Sequence, residues 1–212
     1  MKGTAKAHTN IALIKYWGKR NEELILPTNS SLSVTLDGLH TETTVQFHED
    51  LQEDVFVLDN KEVTGVAYDR VTNYLNLFRN YANKQGLFAE VTSTNKVPTA
   101  AGFASSASGF AALAGATSKA LDLQLSDEDL SRFTRQGSGS ACRSIYGGFV
   151  EWQMGERDDG QDSFAVQVAP QDHWDIRVAA VVLTAEEKDV SSRVGMRRTV
   201  ETSVFYDGWL QS

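Results

Sequence analysis

The sequence predicts an α+β fold, in which strands and helices are interleaved but do not alternate regularly. Three observations support this class. Residues 41–48 are rich in β-forming residues, residues 68–84 carry apolar side chains at helical spacing, and residues 105–121 are rich in alanine, a strong helix former. A regular alternation of strand and helix would indicate a doubly wound parallel sheet, and this order does not favour one.

The first half of the chain is predicted to form strands around one helix. Residues 54–59 form a strand after an acidic turn, and Asn60-Lys61 lies at the expected hairpin tip. Residues 88–94 alternate as a further strand. The helix from Tyr68 to about Lys84 is expected to bury one face, made of Val71, Tyr74, Leu75, Phe78 and Tyr81.

The second half of the chain is predicted to contain more helix, followed by strands. A helix begins at Ser126, whose spacing to Asp129 is that of a capping box. Residues 190–212 predict an amphipathic helix from the four-residue spacing of Met196, Val200 and Val204. Strands are expected at 147–152, 163–169 and 176–183, with a polar hairpin tip at 156–162.

The composition is that of an ordinary globular protein and argues against several kinds of partner. The 212 residues carry a net charge of −8, which disfavours nonspecific binding to nucleic acid or to a membrane surface. Cys142 is the one cysteine, so an internal disulfide is impossible and a reducing compartment fits. The N-terminus has no signal-peptide pattern, and the apolar run 178–183 is too short to span a bilayer. We therefore expect a cytoplasmic protein.

The strongest indication of a ligand is the run of small and hydroxyl residues from Val97 to Gly109. Such a run lets backbone N–H groups approach an anion, and the helix that follows presents its favourable dipole. Because no charged residue lies between Pro98 and Lys119, amides and hydroxyls must hold the anion, as suits a nucleotide phosphate. A flexible Ala/Gly/Ser linker is the alternative interpretation.

A second candidate segment, residues 7–19, places cations beside aromatic side chains. Lys15 and Lys19 lie four positions apart, with Tyr16 and Trp17 between them. An ammonium group and a phenol hydroxyl are both suited to phosphate oxygens. A strand with two ordinary surface lysines has the same pattern.

A third candidate segment, residues 137–144, combines small residues with one arginine. The planar guanidinium of Arg143 can bind phosphate or carboxylate through two hydrogen bonds. The alternative is a turn between helix and strand with a solvated arginine.

Cys142 has no evident histidine partner and is expected to be a packed side chain. In residues 190–196, the pair Ser191-Ser192 is typical of a helix N-cap.

Together these segments resemble the small-molecule kinase superfamily that includes galactokinase, homoserine kinase, mevalonate kinase and phosphomevalonate kinase. Its phosphate-loop pattern, P-x-x-x-G-x-x-S-S-A, is matched by Pro98, Gly102, Ser105, Ser106 and Ala107. Within the superfamily the chain is most similar to the diphosphomevalonate decarboxylase family, through residues 10–19, 98–102, 137–144 and 190–196.

The resemblance implies ATP-dependent decarboxylation of 5-diphosphomevalonate to isopentenyl diphosphate, with ATP and Mg²⁺ as cofactors. It implies catalytic roles for Asn10, Ser105, Ser106 and Arg143, and a contact to Mg²⁺ from Ser106. The residues that it implies in substrate binding are Tyr16, Trp17, Gly18, Lys19, Arg70, Ser138, Gly139, Ser140, Ala141, Cys142, Arg143, Ser191 and Ser192. Those that it implies in ATP binding are Pro98, Ala101, Gly102, Ala104, Ser105, Ser106 and Ala107.

The resemblance also implies two domains with the ligands between them, in a family that commonly forms homodimers. Residues 1–172 would form the N-terminal domain, and residues 173–212 would begin the second domain. The family's catalytic aspartate lies in an Asp-Ala-Gly-Pro-Asn-like segment, which these 212 residues do not contain. We therefore expect very low decarboxylase activity from this chain alone. The alternatives are a superfamily kinase that phosphorylates a mevalonate-type hydroxyl, and a non-catalytic protein that binds a diphosphate.

Overall fold

The computed structural model describes residues 1–97, 105–179 and 190–211. Its strands are β1 (Lys2–Ile14), β2 (Lys19–Asn21), β3 (Leu26–Pro27), β4 (Ser31–His48), β5 (Val55–Leu58), β6 (Lys61–Glu62), β7 (Phe88–Asn95), β8 (Phe149–Trp152) and β9 (Ala165–Ala169). Its α-helices are α1 (Val66–Ala82), α2 (Ser105–Ala120), α3 (Asp127–Gly137), α4 (Ser192–Thr202) and α5 (Tyr206–Leu210), and a 3₁₀-helix covers Gly139–Ile145. Within the described part of the chain, no helix is long and apolar enough to cross a membrane.

One mixed sheet of seven strands organises the fold, in the order β6-β5-β7-β4-β8-β9 with β1 also paired to β4. Among the described strands of this sheet, all neighbours are antiparallel except β5 and β7. The long strand β4 pairs with β8 through Ser31–Val34 and with β7 through Thr41–His48, and β1 pairs with both parts. The first part of β4 therefore lies between the end of β1 and β8, which positions the candidate site.

The alanine-rich helix α2 packs against the sheet at unusually close range. A Cβ atom at Gly3 would lie 2.3 Å from the carbonyl oxygen of Ala116 and 2.5 Å from the amide nitrogen of Ala120. Glycine at position 3 of β1 is thus a packing requirement, because protein interiors tolerate little overlap. Helix α1 completes the core with the buried side chains Tyr74, Leu75 and Phe78.

Most predicted elements are confirmed, and so is the α+β class. Ser126 caps α3, because its hydroxyl accepts a hydrogen bond from the amide of Asp129 at 3.1 Å. The first hairpin tip is Asp59-Asn60, one residue earlier than predicted. Both of these residues have positive φ, of 49° and 63°, as the favoured two-residue hairpin turn requires.

Two predictions about the end of the chain are wrong. Residues 176–179, the described part of the strand expected at 176–183, are irregular. The helix expected over 190–212 is two helices, α4 and α5, with a break at residues 203–205. The four-residue spacing did not mark a buried face, since α4 buries none of its side chains and Val204 is 88% exposed.

Candidate functional site

The centre of the candidate site is the guanidinium group of Arg143, in the 3₁₀-helix. Arg143 is buried, and its Nη atoms donate to Ser31 Oγ at 2.5 Å and to Asn10 Oδ1 at 3.2 Å. Its Nε is buried without a hydrogen-bond partner, and no salt bridge in the described residues involves it. Desolvation lowers the pKa of Arg143. A buried cation without a carboxylate partner is costly, and an anionic ligand would offset that cost.

Asn10 holds Arg143 in place from the end of β1. Its Nδ2 donates to the Ser140 carbonyl at 3.0 Å and to Ser144 Oγ at 2.8 Å, while its Oδ1 accepts from Arg143. Both amide hydrogens are therefore used inside the protein. The structure gives Asn10 a positioning role that acts through Arg143 and the 3₁₀-helix.

Tyr16 lies at the same site and is fixed by aromatic stacking. Its ring centroid is 4.7 Å from that of Trp152, and Trp152 is itself held by a 3.1 Å bond from Nε1 to Ser163 Oγ. A Cβ atom at Gly139 would lie 2.8 Å from the Trp152 ring, so glycine is needed where the 3₁₀-helix meets this stack. The Tyr16 hydroxyl is buried without a partner. Burial, and next the charge of Glu22, raise the pKa of Tyr16 well above its usual range, so this hydroxyl remains a donor.

Lys19 follows the Tyr16 turn and is engaged by a carboxylate. Its Nζ lies 2.5 Å from Glu22 Oε2, with the lysine side chain 6% exposed and the glutamate side chain 63% exposed. Between Tyr16 and Lys19, the residues Trp17 and Gly18 form an irregular turn, in which Gly18 has a φ of 114°. The ammonium of Lys19 therefore faces a competitor that an anionic ligand must displace or share.

The residues from Ser138 to Cys142 differ in what they offer to a ligand. Ala141 and Cys142 are fully buried, and burial raises the pKa of the Cys142 thiol to about 12. The expectation of a packed cysteine is confirmed, and these two residues have only backbone atoms to present. Ser138 and Ser140 are half-buried and keep side chains at the surface of the site.

Arg70 approaches the same region from α1. Its Nη2 donates to the carbonyl of Gly137 at 2.8 Å, and its guanidinium lies 4.4 Å above the ring of Phe110. Desolvation, and next the charge of Arg193, lower the pKa of Arg70. The charge of Arg193 also acts on Tyr16, in the direction that lowers its pKa. The charge of Arg193, on α4, therefore acts on both residues.

Arg193 was not among the site residues predicted from the sequence. It lies in the first turn of α4 and is the only charged residue of the segment 190–196. A single charge among uncharged residues was the feature of the sequence that could have indicated Arg193. The predicted serines serve differently: the Ser191 hydroxyl accepts from the amide of Val194 at 3.3 Å and is the N-cap, as expected, while Ser192 is exposed.

The predicted nucleotide loop lies partly outside the described residues, which exclude Pro98, Ala101, Gly102 and Ala104. Ser105 is the first residue of α2, Ser106 is exposed on its first turn, and Ala107 is fully buried and packs inside the domain. Ser106 borders a cavity of about 330 Å³ between α1, α2 and the sheet, which is also lined by Thr41, Ser93, Asn95, Arg70 and Phe110. Its hydroxyl, beside a helix N-terminus, suits a phosphate-bound Mg²⁺, which takes few protein ligands.

Comparison with known proteins places the chain in one family. Residues 7–165 match the family described as the diphosphomevalonate decarboxylase-like N-terminal domain. The diphosphomevalonate decarboxylase of Homo sapiens is 49% identical over 216 residues, which cover 94% of this chain and 53% of the relative. Mevalonate diphosphate decarboxylase from Staphylococcus aureus superposes with a TM-score of 0.90 at 49% identity, covering 99% of this chain and 63% of that one. Mevalonate diphosphate decarboxylase from Enterococcus faecalis superposes with a TM-score of 0.86 at 53% identity, covering 100% of this chain and 63% of that one.

The fold and the site thus define an α+β domain with a cation-rich site around the buried Arg143. The chain belongs to the diphosphomevalonate decarboxylase family and carries its N-terminal domain. It spans about half the length of the curated relatives that it matches.

Proposed function

We propose that this chain provides the substrate-binding part of an ATP-dependent decarboxylase that converts 5-diphosphomevalonate into isopentenyl diphosphate. The observation that carries the proposal is the buried guanidinium of Arg143, which has no carboxylate partner in the described residues and lies near the unpartnered hydroxyl of Tyr16. The relatives support mevalonate diphosphate as the anion. A solved structure that is 53% identical to this chain, described as MDDEF, is a complex with MVAPP (mevalonate diphosphate), AMPPCP (an ATP analogue) and magnesium.

The proposed substrate has two anionic ends, and the site has two groups of cations. Arg143 and the Asn10-bound 3₁₀-helix would hold the carboxylate or nearby oxygens through the planar guanidinium. Lys19, Arg193 and the Tyr16 hydroxyl would contact the diphosphate, together with the half-buried Ser138 and Ser140. With this division, the reacting carbon would lie between Arg143 and the pair Lys19 and Arg193.

The nucleotide would occupy the cavity of about 330 Å³ beside the first turn of α2. The exposed Ser106 would face the phosphates, and Thr41, Ser93 and Asn95 offer polar groups deeper in the cavity. A Mg²⁺ ion held by Ser106 and phosphate oxygens would neutralise developing charge. Ser105 begins the same turn.

In the proposed reaction the tertiary hydroxyl of the substrate attacks the γ-phosphorus of ATP, and ADP leaves. The new phosphate group then departs with the electrons of its C–O bond. The carboxylate leaves as carbon dioxide and its C–C electrons form the double bond, so the products are isopentenyl diphosphate, ADP, phosphate and carbon dioxide. The family's expected acceptor for the hydroxyl proton is the aspartate of an Asp-Ala-Gly-Pro-Asn-like segment that this sequence lacks. We therefore expect this chain to bind substrate well and to turn it over very slowly.

Calorimetric titration of the chain with mevalonate diphosphate and with mevalonate tests the binding role. We expect tight binding of the diphosphate and much weaker binding of mevalonate, because the diphosphate group meets Lys19 and Arg193. Equal or absent binding of both would overturn the proposal. Parallel assays of ADP and carbon dioxide test turnover, and full turnover would contradict the expected low activity.

The same assays separate the second candidate function, a non-catalytic diphosphate-binding protein, for which the cations of the site would suffice. Such a protein binds mevalonate diphosphate and releases neither ADP nor carbon dioxide. Release of ADP without carbon dioxide would instead identify a superfamily kinase.

A further inference from the structure

Within the described residues 190–211, the segment that carries Arg193 buries little of its surface. Among the described residues 190–211, Tyr206 alone is buried, with 7% of its surface exposed. Helix α4, with Ser192 and Arg193 in its first turn, buries no side chain. The position of these site residues therefore depends on how Tyr206 is held.

Tyr206 is held by the turn that follows Tyr16. Its hydroxyl donates to the carbonyl oxygen of Trp17 at 2.9 Å, and it lies 3.0 Å from the Thr28 hydroxyl, from which it can accept. A Cβ atom at Gly18 would lie 1.9 Å from the Tyr206 hydroxyl oxygen. Together with its φ of 114°, this contact explains why the turn requires glycine at that position.

The same turn positions the substrate-binding side chains on either side of it. Tyr16 immediately precedes Trp17, and Lys19 immediately follows Gly18. The turn is closed by a 3.3 Å bond from the Thr28 amide to the Gly18 carbonyl, and Asn29 Nδ2 donates to the Lys15 carbonyl at 2.9 Å. The Tyr206 hydroxyl thus joins the Arg193 segment to the backbone between Tyr16 and Lys19.

We propose that Tyr206 is a positioning residue that couples the Arg193 segment to the Tyr16–Lys19 turn, so that both contact the diphosphate of the substrate together. This inference rests on the proposed function for the identity of the ligand. Its structural part, the coupling of two segments through one hydroxyl, stands on the hydrogen bonds alone.

The test uses Tyr206→Phe, which removes the hydroxyl and keeps the ring. Its matched control is Tyr81→Phe, because Tyr81 is 59% exposed on α1. We expect Tyr206→Phe to weaken mevalonate diphosphate binding by about three- to tenfold, the range for loss of a buried hydrogen bond. Hydrogen exchange should become faster in peptides covering residues 15–28 and 190–211, and Tyr81→Phe should change neither measurement.

A double-mutant cycle with Arg193→Gln distinguishes positioning from simple stabilisation. If Tyr206 positions Arg193, the loss of affinity caused by Arg193→Gln is large in the wild-type chain and small in the Tyr206→Phe background. Additive losses, or unchanged affinity in Tyr206→Phe, would overturn the proposal. If the wild-type chain does not bind mevalonate diphosphate, the proposed function fails, and exchange still decides the coupling. Faster exchange of both segments in Tyr206→Phe supports it, and exchange equal to wild type overturns it.

Discussion

The two cations whose charges act on Tyr16 are supported in opposite ways. Arg143 lies inside the domain, where the Ser31 hydroxyl and the Asn10 amide oxygen hold its guanidinium. Arg193 lies on an exposed helix whose described segment has one buried side chain, Tyr206. The fixed part of the site, around Arg143, is therefore held in the domain interior, and the attached part, around Arg193, lies on a mostly exposed segment.

Because of this difference, the fixed part has its unfavourable free energy in folding, and the attached part has it in ligand binding. Burying the Arg143 charge is costly in the folded protein, and an anionic ligand recovers that cost on binding. Segments with few buried contacts open at low free energy, so ordering residues 190–211 costs entropy when the ligand binds. Substitutions in the two parts should thus differ in their effects on affinity and on stability.

The largest effect is expected for Arg143→Gln. Removing one partner of a buried charged interaction costs about 2–5 kcal/mol, so mevalonate diphosphate binding should weaken at least about thirtyfold. The folded chain should also lose about 1–3 kcal/mol of stability, because the buried Asn10 Oδ1 and Ser31 Oγ lose their donor. Titration calorimetry and thermal unfolding measure the two quantities. The control Arg157→Gln alters an exposed arginine paired with Asp159 and should change neither. Retained affinity in Arg143→Gln would contradict the assigned role.

A smaller effect is expected for Arg193→Gln. Loss of one charge-assisted contact should weaken mevalonate diphosphate binding about tenfold and should reduce its dependence on salt. Thermal unfolding should be unchanged, since Arg193 is exposed. Arg197→Gln, in the next turn of the same exposed helix, is the matched control. Equal effects of the two substitutions would show that only the overall charge of α4 matters.

The fixed part of the site could be predicted well from the sequence. Local patterns define it: a cation among small residues for Arg143, and aromatic residues between lysines for Tyr16. The strands and helices around it follow from short-range periodicity, as the capped start of α3 shows. What the sequence did not reveal is that Ala141 is fully buried, while Ser138 and Ser140 in the same loop are half-buried.

The attached part of the site could not be predicted in the same way. Contacts between residues far apart in sequence define it, such as the bond from Tyr206 to the Trp17 carbonyl. No periodicity within residues 190–211 marks Tyr206 as buried, because the spacing of Val200 and Val204 suggested a different face. The buried position of Tyr206 follows from the space above Gly18, which only the folded chain displays.

An increase in affinity of up to about fivefold is expected for Glu22→Gln. Glu22 lies 2.5 Å from Lys19 Nζ and also acts on Tyr16, so its charge competes with an anionic ligand for the same donors. Exposed ion pairs contribute roughly 0.2–1 kcal/mol, which sets the size of the change. Glu23→Gln is the control, since Glu23 is an exposed neighbour with no ion pair among those in the described residues. Weaker binding in Glu22→Gln would indicate that Glu22 orients Lys19 rather than competing with the ligand.

The smallest effect is expected at Cys142, which reports on the fixed part alone. Burial raises its thiol pKa to about 12, so the native protein should resist iodoacetamide at pH 8, while the denatured chain is labelled rapidly. The folded state holds this proton more tightly than the unfolded state. Its contribution to stability is therefore constant below the ordinary thiol pKa and falls as the pH rises toward about 12. Mass spectrometry measures the labelling.

Tyr206→Phe should leave the labelling rate of Cys142 at pH 8 unchanged, because loosening residues 190–211 does not open the interior around Cys142. Faster labelling in that variant would show that the two parts of the site open together.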